Sequence, residues 1–103
     1  SGRTIQAAGG GQLFDLIATA VRAGLSGLET LVGIRGSVGG SVRCNVGDRS
    51  GEIGAAVRRV AVLTDDGVEQ IRHRDELTFG EHTSDLDEPV ILWVEFELEP
   101  DNS

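Results

Sequence analysis

Residues 24–47 read Gly24-Leu-Ser-Gly-Leu-Glu-Thr-Leu-Val-Gly-Ile-Arg-Gly-Ser-Val-Gly-Gly-Ser-Val-Arg-Cys-Asn-Val-Gly47, and Gly51-Glu52-Ile53 follows closely. Nine of the chain's 15 glycines fall between Gly24 and Gly54, set among Leu25, Leu28, Leu31, Val32, Ile34 and Val38, with no proline. A flexible linker is polar, whereas this stretch is apolar. Glycine at this density also costs a long helix too much backbone entropy. The spacing therefore predicts short helical turns pressed against a sheet, with main chain open to something that approaches closely. Gly36, Gly39 and Gly40 remove side chains where a flat ring or a phosphate would meet the backbone. Free N–H groups around Ser37, at the start of a short helix, would form an anion-binding concavity. Glycines serve tight helix-to-sheet packing equally well, so on pattern alone a ligand loop and a packing loop stay equal alternatives.

Working outward, Thr4–Ala8 reads as a short strand, and Gly9-Gly10-Gly11 turns the chain into a helix over 12–23, where Leu13, Leu16, Ile17, Ala20 and Val21 recur at helical spacing. The glycine triplet is not a dinucleotide fingerprint, because G-x-G-x-x-G needs glycine where Phe14 stands. Residues 57–64 are rich in β-branched side chains, Asp65-Asp66-Gly67 is a turn signal, and 68–73 resumes the extended pattern, so the pair is a β-hairpin. Near the end Leu92, Val94, Phe96 and Leu98 alternate with Trp93, Glu95, Glu97 and Glu99, which puts one face of a strand over 90–98 inward and closes the sheet. Trp93 then lies on the outward face, either as a contact for a neighbouring domain or as an ordinary partly exposed aromatic. The expected class is α+β, an antiparallel sheet flanked by helices.

With 103 residues and 10.9 kDa, a single domain spanning 1–103 is expected. Ser1-Gly2 looks like the remnant of a cleaved tag. All nine cations are Arg and none is Lys, which excludes a P-loop lysine, a Schiff-base lysine and a lysine general base together. Residues 1–64 carry a formal charge of +3 and residues 65–103 carry −11. That balance disfavours nucleic acid, while the basic half suits a small anion. Cys44, His73 and His82 lack metal-ligand spacing, and a lone cysteine closes no disulfide; Cys44 is expected to be buried and structural. No stretch of about 18 apolar residues suggests a membrane span.

The run from Gly24 to Ile53 resembles the UDP-N-acetylenolpyruvoylglucosamine reductase (UDP-N-acetylmuramate dehydrogenase) family, whose pattern reads approximately GLxGLExLxGIPGxVGGAVxMNxGAYGxEI. The resemblance covers about residues 4–99, continuing through Glu76-Leu77-Thr-Phe79-Gly80 to the last strand. It implies the second FAD-binding subdomain of the vanillyl-alcohol-oxidase type, which packs on a first one that binds the diphosphate. Position by position it implies that Ile34, Gly36, Ser37, Val38, Gly39 and Gly40 line the flavin, as do Asn45 and Gly47, with Ile53 and Ile91 as further apolar contacts. The whole enzyme of that family moves hydride from NADPH through FAD to an enolpyruvyl double bond, in peptidoglycan precursor synthesis in the bacterial cytoplasm.

The departures bear on activity. The family proline is Arg35, the Gly-Ala-Tyr-Gly loop is Gly47-Asp48-Arg49-Ser50, and the Tyr-Arg pair after Phe-Gly is Glu81-His82. The flavin-diphosphate domain and the substrate domain are the partners the resemblance implies; no metal, membrane or nucleic acid is expected, and the chain alone is expected to be inactive. Two alternatives stand beside this one: a divergent non-catalytic packing module, or a subdomain of another FAD-linked oxidase or dehydrogenase.

Overall fold

Leu13, Leu16, Ile17 and Ala20 repeat every three to four residues, and all four are buried along one stripe of a single helix. Val21 falls outside that stripe and is 58% exposed, so the apolar face is narrower than the residue types alone suggest. The computed structural model describes residues 3–101; Ser1 and Gly2, expected as a tag remnant, lie outside the described residues. In chain order the elements are β1 (Thr4–Ala8), α1 (Leu13–Arg22), β2 (Leu25–Ser26), α2 (Val38–Arg43), β3 (Gly47–Asp48), β4 (Gly51–Glu52), β5 (Val57–Leu63), β6 (Glu69–His73), β7 (Phe79–Gly80), β8 (Thr83–Ser84), β9 (Val90–Glu97) and β10 (Glu99–Pro100). Three 3-10 turns, Glu29–Leu31, Ile53–Ala56 and Arg74–Glu76, join them.

The main sheet runs β1-β9-β5-β6 and is antiparallel throughout. The α+β class and the hairpin of β5 and β6 agree with the sequence. The hairpin turn is closed by Gly67 at φ +79°, whose N–H donates to the Thr64 carbonyl at 2.9 Å. The last long strand differs from expectation in place and in phase. It lies inside the sheet, between β1 and β5, and not at its edge. Its pairing with β5 skips a residue, Ala61 facing Trp93 and Val62 facing Ile91, so Leu92 is an extra residue in a β-bulge. The bulge resets the alternation: Ile91, Val94, Phe96 and Leu98 are buried and Leu92 is only half-buried.

One face of the sheet is covered. Val60, Val62, Val94 and Phe96 form a single cluster with the α1 stripe and with Val38 and Val42 of α2. Burying each such side chain stabilises by roughly 1.5–3 kcal/mol before entropy is charged against it. On the opposite face the Arg59 guanidinium sits over Trp93, 5.4 Å from the ring centre, and makes two bonds to Glu95, 2.9 and 3.1 Å. The apolar area of Trp93 is therefore partly covered from within the domain.

Candidate functional site

The glycine-rich run folds as short turns against the sheet. The loop before α2 is stitched to the turn after β1: the Leu13 N–H donates to the Gly36 carbonyl at 2.9 Å and the Val38 N–H to the Gly11 carbonyl at 2.8 Å. Ser37 caps α2 by accepting from the Gly40 N–H at 3.0 Å. Gly39 packs where no side chain fits. Its N–H donates to the Gly9 carbonyl at 2.8 Å, and a Cβ there would lie 3.1 Å from the Gly9 oxygen and 3.3 Å from Ile91 Cβ. A single open patch of unpaired amides running from Gly36 to Gly40 is therefore not what forms. The amides of residues 38–40 are spent inside the domain, because that is how so short a helix is held to the sheet.

The predicted site residues separate accordingly. Ile34, Gly36, Ser37 and Gly40 reach the surface, and Gly47 is half-buried. Val38, Gly39, Asn45, Ile53 and Ile91 are buried. Two hollows are lined in part by residues of the glycine-rich run. The first, about 530 Å³, is walled by Phe14, Val32, Ile34 and Arg35. Phe14 is 66% and Val32 64% exposed, and Gly33 at φ +96° has open space beside it. The second, about 640 Å³, lies between the β3–β4 and β7–β8 hairpins and carries Arg49, Glu52, Glu81 and His82 on its walls. The cations of the basic half do not gather around one anion site: Arg35 and Arg49 line different hollows, and Arg43 donates to the Leu86 carbonyl at 2.7 Å.

Sequence reasoning missed Phe14 and Val32; for Phe14 the available signal was a large apolar residue off the buried stripe of α1, while Val32 follows the short turn at Glu29–Leu31, where no period shows. Cys44 was expected inside, but it is exposed as the C-cap of α2. The adjacent Asn45 takes the inward position, in a left-handed conformation at φ 48°. Its Oδ1 accepts from the Gly54 N–H at 2.9 Å and its Nδ2 donates to the Gly80 carbonyl at 2.8 Å. Arg74 also donates to the Gly54 carbonyl and stacks 5.7 Å from the Phe79 ring centre.

Two carboxylates are held below the usual range. Glu95 is lowered by its hydrogen bond from Arg59, against some burial, and Glu29 by the Gly27 N–H at 2.6 Å with further help from its own backbone N–H and Ser26. Both belong to the frame and neither lines a hollow. Among the described residues no group of three His, Cys, Asp or Glu could hold a metal ion, and no helix is long and apolar enough to cross a membrane.

No family model matches the chain. Individual relatives do. The UDP-N-acetylenolpyruvoylglucosamine reductase of Rhodopirellula baltica is 36% identical over 99 residues, covering 96% of this chain and 32% of that protein. The enzyme of that name from Streptococcus pneumoniae is 40% identical over 101 residues, covering 96% and 34%. The crystal structure of the reductase from Thermus caldophilus superposes with a TM-score of 0.77 at 37% identity, over 96% of this chain and 36% of that one. The chain spans about one third of the length of the curated relatives it matches. Sequence and fold thus agree over nearly the whole chain, and they support the UDP-N-acetylenolpyruvoylglucosamine reductase family as the one to which it is related, over one third of those proteins' length.

Proposed function

We propose that the chain is the second FAD-binding subdomain of a reductase of peptidoglycan precursor synthesis, working in the cytoplasm beside a flavin-diphosphate domain and a substrate domain. What supports this reading most is that the alignment with the reductases runs through the loop at 33–36, which here leaves its backbone open beside a hollow. The residues present fit part of such a cofactor. Phe14, Val32 and Ile34 offer apolar walls to a flat ring, the glycines at 33 and 36 let it approach the main chain, and Arg35 offers a guanidinium to an anionic group. When bound, FAD supplies the hydride chemistry; this chain binds and orients it, and shields one side from water. General acid catalysis commonly supplies about 10²- to 10⁴-fold in rate, and the resemblance implies that the family's proton-donating serine belongs to the substrate domain. With FAD and NADPH added, the chain alone is therefore expected not to reduce UDP-N-acetylglucosamine enolpyruvate, and turnover would refute this assignment of roles.

A titration of FAD with the chain, followed by flavin fluorescence, tests the reading. A saturable change that Arg35→Glu weakens by about tenfold or more is expected; a flat titration counts against it. The internal pairing of the Gly39 and Gly40 amides favours the second reading, a non-catalytic packing module, and a flat titration would favour it further.

A further inference from the structure

Among the described residues only two that are not glycine have positive φ: Asn45 at 48° and His82 at 56°. Left-handed backbone away from glycine is costly and persists where the surroundings over-determine it. One hydrogen bond links the two places. Asn45 Nδ2 donates to the Gly80 carbonyl, and Gly80 opens the two-residue turn Glu81-His82, which pairs back at Thr83.

The other end of the same amide is equally committed. Asn45 is 1% exposed and its Oδ1 accepts from the Gly54 N–H. A Cβ on Gly54 would lie 2.6 Å from Asn45 Oδ1 and 2.6 Å from the Phe79 ring, so β7 is packed flat onto this turn. The far strand of the hairpin is tied separately, Ser84 Oγ donating to the Arg43 carbonyl at 2.7 Å. Space alone would be filled by an apolar residue, like the neighbouring Val42 and Ile53. A buried amide costs desolvation and returns a fixed geometry at both of its ends. What that geometry fixes is the hairpin whose tip carries His82 into the cleft that Arg49 also lines.

We propose that Asn45 is a positioning residue: by holding the Gly80 carbonyl, its buried amide fixes the backbone turn that carries His82 on the rim of the cleft between the β3–β4 and β7–β8 hairpins. The inference rests on the flavin-subdomain reading only for what His82 would meet, and its test needs no flavin, so a chain that takes up none still answers it.

The test compares His82 ring resonances and amide hydrogen exchange in the unaltered chain, Asn45→Gly and Asn45→Asp, with His82→Ala identifying the signals. Glycine adopts φ 48° freely and removes both bonds. Aspartate keeps the acceptor for Gly54 and loses the donor to Gly80. In both variants the His82 signals are expected to shift or split and exchange across residues 80–83 to quicken about tenfold, while β5 and β9 keep their protection. Only in Asn45→Asp should the Gly54 amide stay slow. Unchanged His82 signals, or sheet amides that lose protection by the same factor as the hairpin, would overturn the proposal. If Asn45→Gly does not fold, Asn45→Asp decides on these readouts, and failure of both to fold assigns Asn45 to core stability and overturns it too.

Discussion

Gly54 and Gly10 mark the extremes of what a missing side chain does in this molecule. A Cβ at Gly54 would meet Asn45 Oδ1 and the Phe79 ring at 2.6 Å, whereas one at Gly10 meets nothing within 4 Å. Gly54→Ala is therefore expected to lower stability by about 1–3 kcal/mol through overpacking, and Gly10→Ala to change it by about 0.5 kcal/mol or less. Urea denaturation of the two variants checks the pair, and equal costs would contradict the packing described. Glu95 contributes to the acid limb. Its folded pKa lies below its ordinary 4.5, so the unfolded chain binds more protons in that interval. Stability from the Arg59 pair is complete above the ordinary value and lost as pH falls through the folded one; Glu29 acts in the same direction. Glu95→Gln should flatten the fall of the urea midpoint on acidification, and an unchanged slope would show that the pair contributes nothing. At this scale the sequence was least informative about the site. The burial of Asn45 and the exposure of Cys44 depend on which of two adjacent residues turns inward at the end of α2, and the inward one meets Gly54 and Gly80, nine and 35 residues further along the chain.

Elements were legible where a local period carried them. The stripe of α1 and the turn at Asp65-Asp66-Gly67 need only neighbours in sequence, and both form close to where they were expected. The bulge at Leu92 was not legible, because a skipped residue is a property of two paired strands, and the inner place of β9 was hidden because strand order is set by the whole chain. The short pairs β3–β4, β7–β8 and β2–β10 carry two residues each, too few for any period to show. The hairpin turn gives a prediction at this scale. Gly67 holds φ +79° in open space, so Gly67→Ala meets no clash and costs only the left-handed backbone, about 1–2 kcal/mol. A thermal-unfolding comparison with Gly10→Ala isolates that cost; equal midpoints would mean the turn relaxes to another type.

Across the whole molecule, the charge imbalance places the anion-seeking groups in the first two thirds of the chain and the solvating acids in the last third. Arg35 stands on an apolar hollow with Phe14 and Val32, and the segment matches reductases three times its length. They support the proposal that this face of the domain meets a flavin. The most direct measurement is FAD titrated into the isotope-labelled chain, with every backbone amide followed by NMR. Saturable shifts should be confined to Gln12, Phe14 and residues 32–37, with smaller ones at the hairpins of Arg49 and His82. Added salt should weaken them, because an exposed guanidinium is screened within about 10 Å at 0.1 M. An absence of saturable shifts at FAD concentrations up to the millimolar range (roughly 4 kcal/mol of binding), or shifts centred on Trp93 and the outer face of the sheet, would contradict it.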